Sequence, residues 1–165
     1  MNKNCIFSAL DLAKYLNSLH IEKKGTNISP LKLQKTLFFL FGEWGAFITK
    51  ARNSNGDWSS LNSYRRYLFN EDIEAWLYGP VVRDVYNKFN NETISEGDLF
   101  HTDEEKYARD FINDLANELF NLSDFRLVEL SHQLECWKSN FNEKDNIHGK
   151  IIDKEQIINE FLLQV

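Results

Sequence analysis

The chain is poor in the residues that would tie it to several common chemistries. Two cysteines in 165 residues, Cys5 and Cys136, lie far apart and in no paired spacing, which argues against a disulfide framework or a closed zinc ligand set. Seven glycines are spread through connectors and make no phosphate-cradling loop, and no Gly-x-Ser-x-Gly elbow occurs. Basic charge is in deficit: 19 Lys and Arg face 25 Asp and Glu, for a formal charge of -6 and a pI near 5.2. Broad binding to a phosphate backbone needs clustered cations, so nucleic acid is not the expected partner. No apolar run is long either. Leu37-Phe38-Phe39-Leu40-Phe41 is bracketed by Lys35 and Glu43 and is too short to span a bilayer. The first residues, Met1 to Phe7, lack the longer apolar core of a secretion signal. The expectation is a cytoplasmic protein with reduced thiols and no membrane contact.

What the chain does have is aromatic bulk: thirteen Phe, six Tyr and four Trp among a 42% hydrophobic content. That composition, at this length, is enough for one compact domain over residues 1–165 with a stiff core. Helix starts are well marked. Ser8 with Asp11 resembles a capping box, followed by Leu12, Tyr15, Leu16 and Leu19 at helical spacing. Ser29-Pro30 places a capping serine before a proline suited to the first helical turn, and Leu33, Leu37, Leu40, Phe41, Trp44, Phe47 and Ile48 share one arc to about Lys50. Phe39 points off that arc, so this helix is either covered on two sides or offers Phe39 to a partner. Ala51 to Asn62 carries turn formers and reads as a loop. Thr102-Asp103-Glu104-Glu105 is a second capping box, Ser123-Asp124 caps another helix, and Asp153 with Gln156 opens a terminal one. The predicted fold is mainly α, with five to seven helices and room for a short two-stranded β element around residues 64–77. The only other proline, Pro80, follows Gly79 and reads as the first position of a helix whose face carries Val82, Val85, Tyr86 and Phe89.

Candidate chemistry is thin. His132 and Cys136 stand four apart, a spacing that could share a metal on one helix turn, but no second ligand pair completes a site. Glu71, Asp72 and Glu74 read as a solvated acidic turn, and an enzyme centred on His132 and Glu74 requires the two to converge in a cleft. Arg65 and Arg66 between Tyr64 and Tyr67 make the one basic-aromatic interleave, readable as a strand clamp or, better, as salt-bridging surface. No metal, cofactor or catalytic residue is expected. Large side chains at Trp76 and Tyr78, with Phe39, Arg83 and Asp84, are the candidate partner-binding residues.

Ser29-Pro30-Leu31-Lys32-Leu33-Gln34-Lys35, then Glu74-Ala75-Trp76-Leu77-Tyr78-Gly79-Pro80-Val81-Val82-Arg83-Asp84-Val85-Tyr86, then Leu130-Ser131-His132 with Trp137, resemble the Panacea domain, also called the SocA-like antitoxin domain, common in phages and prophages. The resemblance runs from about residue 8 to 162. It implies a small, mostly helical, non-enzymatic antitoxin that neutralises a toxin protein encoded beside it through direct contact; the alternative it leaves is a phage-derived inhibitor of a host defence protein. The matching positions are Lys35, Glu74, Ala75, Trp76, Tyr78, Gly79, Pro80, Val81, Val85, Tyr86, His132 and Trp137, holding either fold or function. Two stretches depart from the pattern, Lys50 to Tyr67 and the Asn- and Lys-rich segment from Trp137 to Lys150, and partner choice could be set in either.

Overall fold

The computed structural model describes residues 4–54, 61–142, 144 and 149–164. In chain order its helices are α1 (Ala9–Lys24), α2 (Pro30–Asn53), α3 (Arg83–Lys88), α4 (Glu96–Leu99), α5 (Asp103–Phe120), α6 (Asp124–His132), α7 (Glu135–Lys138) and α8 (Lys154–Leu163). Three strands, β1 (Ile73–Trp76), β2 (Gly79–Val82) and β3 (Lys150–Ile152), form an antiparallel sheet with β1 in the middle. A 3-10 turn, Leu61–Ser63, follows α2.

The caps form where the sequence marks them. Ser8 accepts from the Asp11 amide, Ser29 from Lys32, Ser123 from Arg126 and Asp153 from Glu155. Thr102 and Glu105 close a reciprocal capping box on α5. Helix α2 is the axis of the fold, packed by α1, α5, α6, α8 and β2. Its Leu37, Phe38, Leu40, Phe41, Trp44 and Ile48 are fully buried. Helix α8 comes so close that a Cβ at Gly42 would lie 2.2 Å from the Phe161 ring. Phe39, off the main stripe, is half-buried and meets Phe38 and Phe161 edge-on, at 5.3 and 6.0 Å between centroids. The helix is covered on two sides, and that is why its apolar arc is too wide for one face.

Three expectations need correction. Helices number eight among the described residues, because α3, α4 and α7 are six, four and four residues long and too short to show a period. The β element has three strands and lies further along than 64–77. Tyr64 to Phe69 is irregular apart from one bridge between Tyr67 and Cys5, and β2 begins where a helix was expected. Pro80 sits in that strand, not at a helix start, and α3 opens at Arg83 after Val82. A proline fits there because β2 is an edge strand and the amide it lacks points away from β1. Of the predicted helical face only Val85 is both in α3 and buried; Tyr86 is 61% exposed. The loop expected over 51–62 starts later, since α2 runs to Asn53, and residues 55–60 of it lie outside those described, as do 143 and 145–148 of the segment after Trp137.

Candidate partner-binding surface

The Gly-Pro segment folds as a tight hairpin. Trp76 pairs with Gly79, so only Leu77 and Tyr78 form the turn, and they are 47% and 59% exposed. Gly79 has φ of 111°, a conformation that side chains resist. A Cβ there would also lie 2.5 Å from Ser131 Oγ and 2.7 Å from Lys35 Cε. The hairpin therefore rests directly on α2 and α6, with no room for a side chain between.

Register explains how its outer edge is closed. In a two-residue hairpin, Trp76 with Gly79 and Glu74 with Val81 exchange ladder bonds, which turns the backbone groups of residues 80 and 82 outward. Pro80 has no amide to satisfy. Its carbonyl accepts from Lys35 Nζ at 2.9 Å. The Val82 amide donates to Gln34 Oε1 at 2.8 Å, and the Val82 carbonyl accepts from Gln34 Nε2 at 3.3 Å. Two neighbouring side chains of α2 thus stand in for a missing strand. This gives the Gln34-Lys35 pair a physical reason that helix periodicity does not supply.

Two more bonds fix the tip from the other side. His132 Nε2 lies 3.0 Å from the Leu77 carbonyl, which makes it the protonated ring nitrogen, and Trp137 Nε1 donates to the Trp76 carbonyl at 2.8 Å. The His132 and Trp137 rings stack at 4.0 Å and 19°, and Phe141 stacks on Trp137 at 4.8 Å and 13°. Burial holds the His132 imidazole below its ordinary pKa; the Leu77 carbonyl works the other way, and the neighbouring Lys35 adds to the lowering. Lys35 is itself wholly buried, and loss of hydration pulls its ammonium from 10.5 down to about 7.

On the flank of the hairpin, Arg83 forks onto Glu74 through Nε at 2.9 Å and Nη2 at 2.7 Å. Trp76 Nε1 donates to the same carboxylate at 3.0 Å, and the Arg83 guanidinium lies 5.4 Å over the Trp76 ring. Tyr86 meets Trp76 edge-on at 5.0 Å. Asp84 pairs with Lys88 at 2.8 Å, one turn on. Beyond His132, a groove of about 440 Å3 along α6 is lined by Val128, Glu129 and Phe125, and Phe125 is 85% exposed. The result is a surface of apolar and aromatic side chains, Leu77, Tyr78, Tyr86 and Phe125, on a base locked by polar bonds.

Of the predicted partner-binding residues, Trp76, Tyr78, Arg83 and Asp84 come together on or beside the hairpin, while Phe39 is taken into the seam between α2 and α8. Leu77, Phe125 and Gln34 were missed. Phe125 was findable: it lies off the buried face of α6 carrying Leu127, Val128 and Ser131, as Phe39 lies off that of α2. His132 and Cys136 share no helix turn, because α6 ends at His132 and Cys136 belongs to α7. The Cys136 thiol is buried and pushed up, first by burial and then by Glu160, whose carboxylate also accepts from the amides of Glu135 and Cys136 at the start of α7. Glu74 and His132 have different partners among the described residues, Arg83 with Trp76 for the one and the Leu77 carbonyl for the other. The acidic triplet is dispersed as well: Glu71 accepts from the Ala9 amide at the start of α1, and Asp72 faces Lys154. Among the described residues no group of three or more His, Cys, Asp or Glu could hold a metal ion, and no helix is long and apolar enough to cross a membrane.

A sequence model of the family described as "Antitoxin SocA-like, Panacea domain" matches residues 56–138. The match takes in the hairpin and α3 to α7, and leaves α1, α2 with its Gln34-Lys35 pair, and α8 outside. No curated protein and no solved structure matches the chain.

Proposed function

The chain belongs to the SocA-like antitoxin family with the Panacea domain, and from that premise we propose that it is a cytoplasmic, non-enzymatic antitoxin that neutralises a toxin protein by direct binding. The docking surface is the hairpin tip with the outer face of α6. One observation carries this placement: Leu77 and Tyr78 are exposed on a turn whose two neighbouring carbonyls and outer edge are held by Lys35, Gln34, His132 and Trp137. A rigid base spares the ordering cost that a mobile loop would lose on association. Tyr and Trp are the residue types whose burial dominates interface energetics. The net charge of -6 favours a basic partner and faster encounter with it.

Co-expression with the product of the adjoining gene tests the reading. Growth should be arrested by that product alone and restored by this chain, and restoration should fail for the double variant Leu77→Ser, Tyr78→Ala. Persistent arrest in the presence of folded wild-type chain would refute neutralisation of that toxin. Restoration by the double variant would refute the placement at the tip.

A further inference from the structure

The basic-aromatic interleave at Tyr64-Arg65-Arg66-Tyr67 is not absorbed by the antitoxin reading. In the fold it joins Arg52, from the last turn of α2, around a concavity of about 290 Å3 lined by Asn4, Arg52, Arg65, Arg66 and Tyr67. We propose that this concavity is an oxyanion site that takes the phosphoryl group of a phosphate ester or polyphosphate.

Charge is the first argument. Glu104 forks onto Arg65, through Nε at 3.1 Å and Nη2 at 2.7 Å, and Glu155 forks onto Arg66 at 3.0 and 2.9 Å. Both carboxylates are further committed, Glu104 to the Arg65 amide and Glu155 to the Tyr67 hydroxyl. Arg66 holds Glu155 below the ordinary carboxyl pKa, so that ion pair persists at neutral pH. Arg52 has a neutral acceptor, the Tyr64 carbonyl at 2.6 Å, and no carboxylate among the described residues. Among the described residues the lining carries three guanidiniums and no carboxylate, while Glu105 lies within electrostatic reach of Arg65 and Asp153 within reach of Tyr67.

Donor geometry is the second argument. The two ion pairs, with the bond from Arg66 Nε to Thr49 Oγ1 at 2.8 Å, fix the planes of Arg65 and Arg66 before any ligand arrives. Among the described residues, Nη1 of Arg65 and Nε and Nη1 of Arg52 have no acceptor. Arg65 and Arg66 keep 32% and 24% of their side-chain surface, so the site is lined by guanidinium planes that are both oriented and reachable. A tetrahedral phosphoryl group offers three oxygens to these unfilled donors of Arg65 and Arg52, where a planar carboxylate offers two. The volume admits that group and its ester link, with the remainder of the ligand in solvent.

The test is an NMR titration of the full chain, observing arginine Nε–H signals, with inorganic pyrophosphate, a nucleoside diphosphate and a short single-stranded oligonucleotide in separate arms. Saturable shifts at Arg52, Arg65 and Arg66 are expected. Arg52→Gln should weaken binding by roughly tenfold, the loss expected for one charged hydrogen-bonding group. This variant leaves both ion pairs in place, so its melting temperature should match the parent. Arg65→Lys keeps the charge but loses the unfilled Nη1 donor and should bind more weakly too. The oligonucleotide binding tighter than pyrophosphate identifies a nucleic-acid backbone as the source, the nucleoside diphosphate binding tighter identifies a free nucleotide, and equal binding identifies the phosphoryl group alone. Absence of saturation in every arm, or unchanged affinity in both variants, would overturn the site. The antitoxin reading does not depend on the result, because none of the three arginines belongs to the hairpin or to α6.

Discussion

Replacing Lys35 by methionine removes a buried ammonium while keeping most of the side chain's volume. In the unfolded chain a lysine titrates near 10.5; in the fold, burial brings Lys35 to about 7. Above the upper value the amine is neutral in both states and burial costs nothing electrostatically. As pH falls, the unfolded chain takes up the proton first, so the native state loses about 1.4 kcal/mol of relative stability per pH unit. The loss levels off below pH 7 at about 5 kcal/mol. Methionine abolishes that cost but leaves the Pro80 carbonyl without its donor, a penalty of about 1–3 kcal/mol that does not vary with pH. At pH 6, Lys35→Met should therefore be more stable than the parent by about 2–4 kcal/mol, and near pH 10.5 less stable by about 1–3 kcal/mol, with the curves crossing near pH 9. Urea denaturation of both proteins from pH 6 to pH 10 measures the difference directly, and common titrations cancel in it. A gap that stays constant across that range would refute the reasoning, since it would mean that the ammonium is as well solvated in the fold as outside it.

Other outcomes follow from the same hairpin. Gly79→Val should destabilise by about 3 kcal/mol or more, combining a left-handed backbone with two sub-contact approaches, and a melting curve matching the parent would contradict both. Gln34→Met should cost about 2–4 kcal/mol in urea denaturation, because two buried backbone groups of Val82 lose their partner at once. Tyr78→Ala should stay within about 0.5 kcal/mol of the parent in stability, as an exposed side chain does, while weakening toxin binding at least about tenfold by calorimetry.

How far the sequence reaches is clear from where it stops. The caps at Ser8, Ser29, Thr102, Ser123 and Asp153 were legible because capping is local chemistry, decided within four residues. The strand at Gly79–Val82 was not. Gly-Pro before Val82 and Val85 satisfies the local rules for a helix start equally well, and the choice is made by β1 on one side and by Gln34 and Lys35 on the other. The latter pair lies 45 to 48 residues upstream of its partners, a distance that no window of local pattern spans. Trp76, Tyr78, Arg83 and Asp84 were legible as a group because they lie close together in sequence around one hairpin. Phe125 and His132 reach the same face only through the docking of α6, and the spacing of His132 and Cys136 misled because the helix breaks between them.

A lysine at the centre of an apolar helix face is a costly way to satisfy one carbonyl, since methionine or leucine would pack as well with no charge to desolvate. Its position shows what the cost secures. Pro80 O is the outward-facing acceptor nearest the turn, and a strand slipped by one residue would turn its side chains to the opposite face. Gln34, with one donor and one acceptor, matches a strand residue that turns both an amide and a carbonyl outward, as Val82 does and Pro80 cannot. Gln34 thus distinguishes Val82 from Pro80 along this edge, which apolar packing cannot do, and the register leaves Leu77 and Tyr78 on the exposed turn. Stability and display are separable on this view: Lys35→Met can raise the first while loosening the second, so the stability series and the binding measurement on Tyr78 bear on different links of one chain of causes.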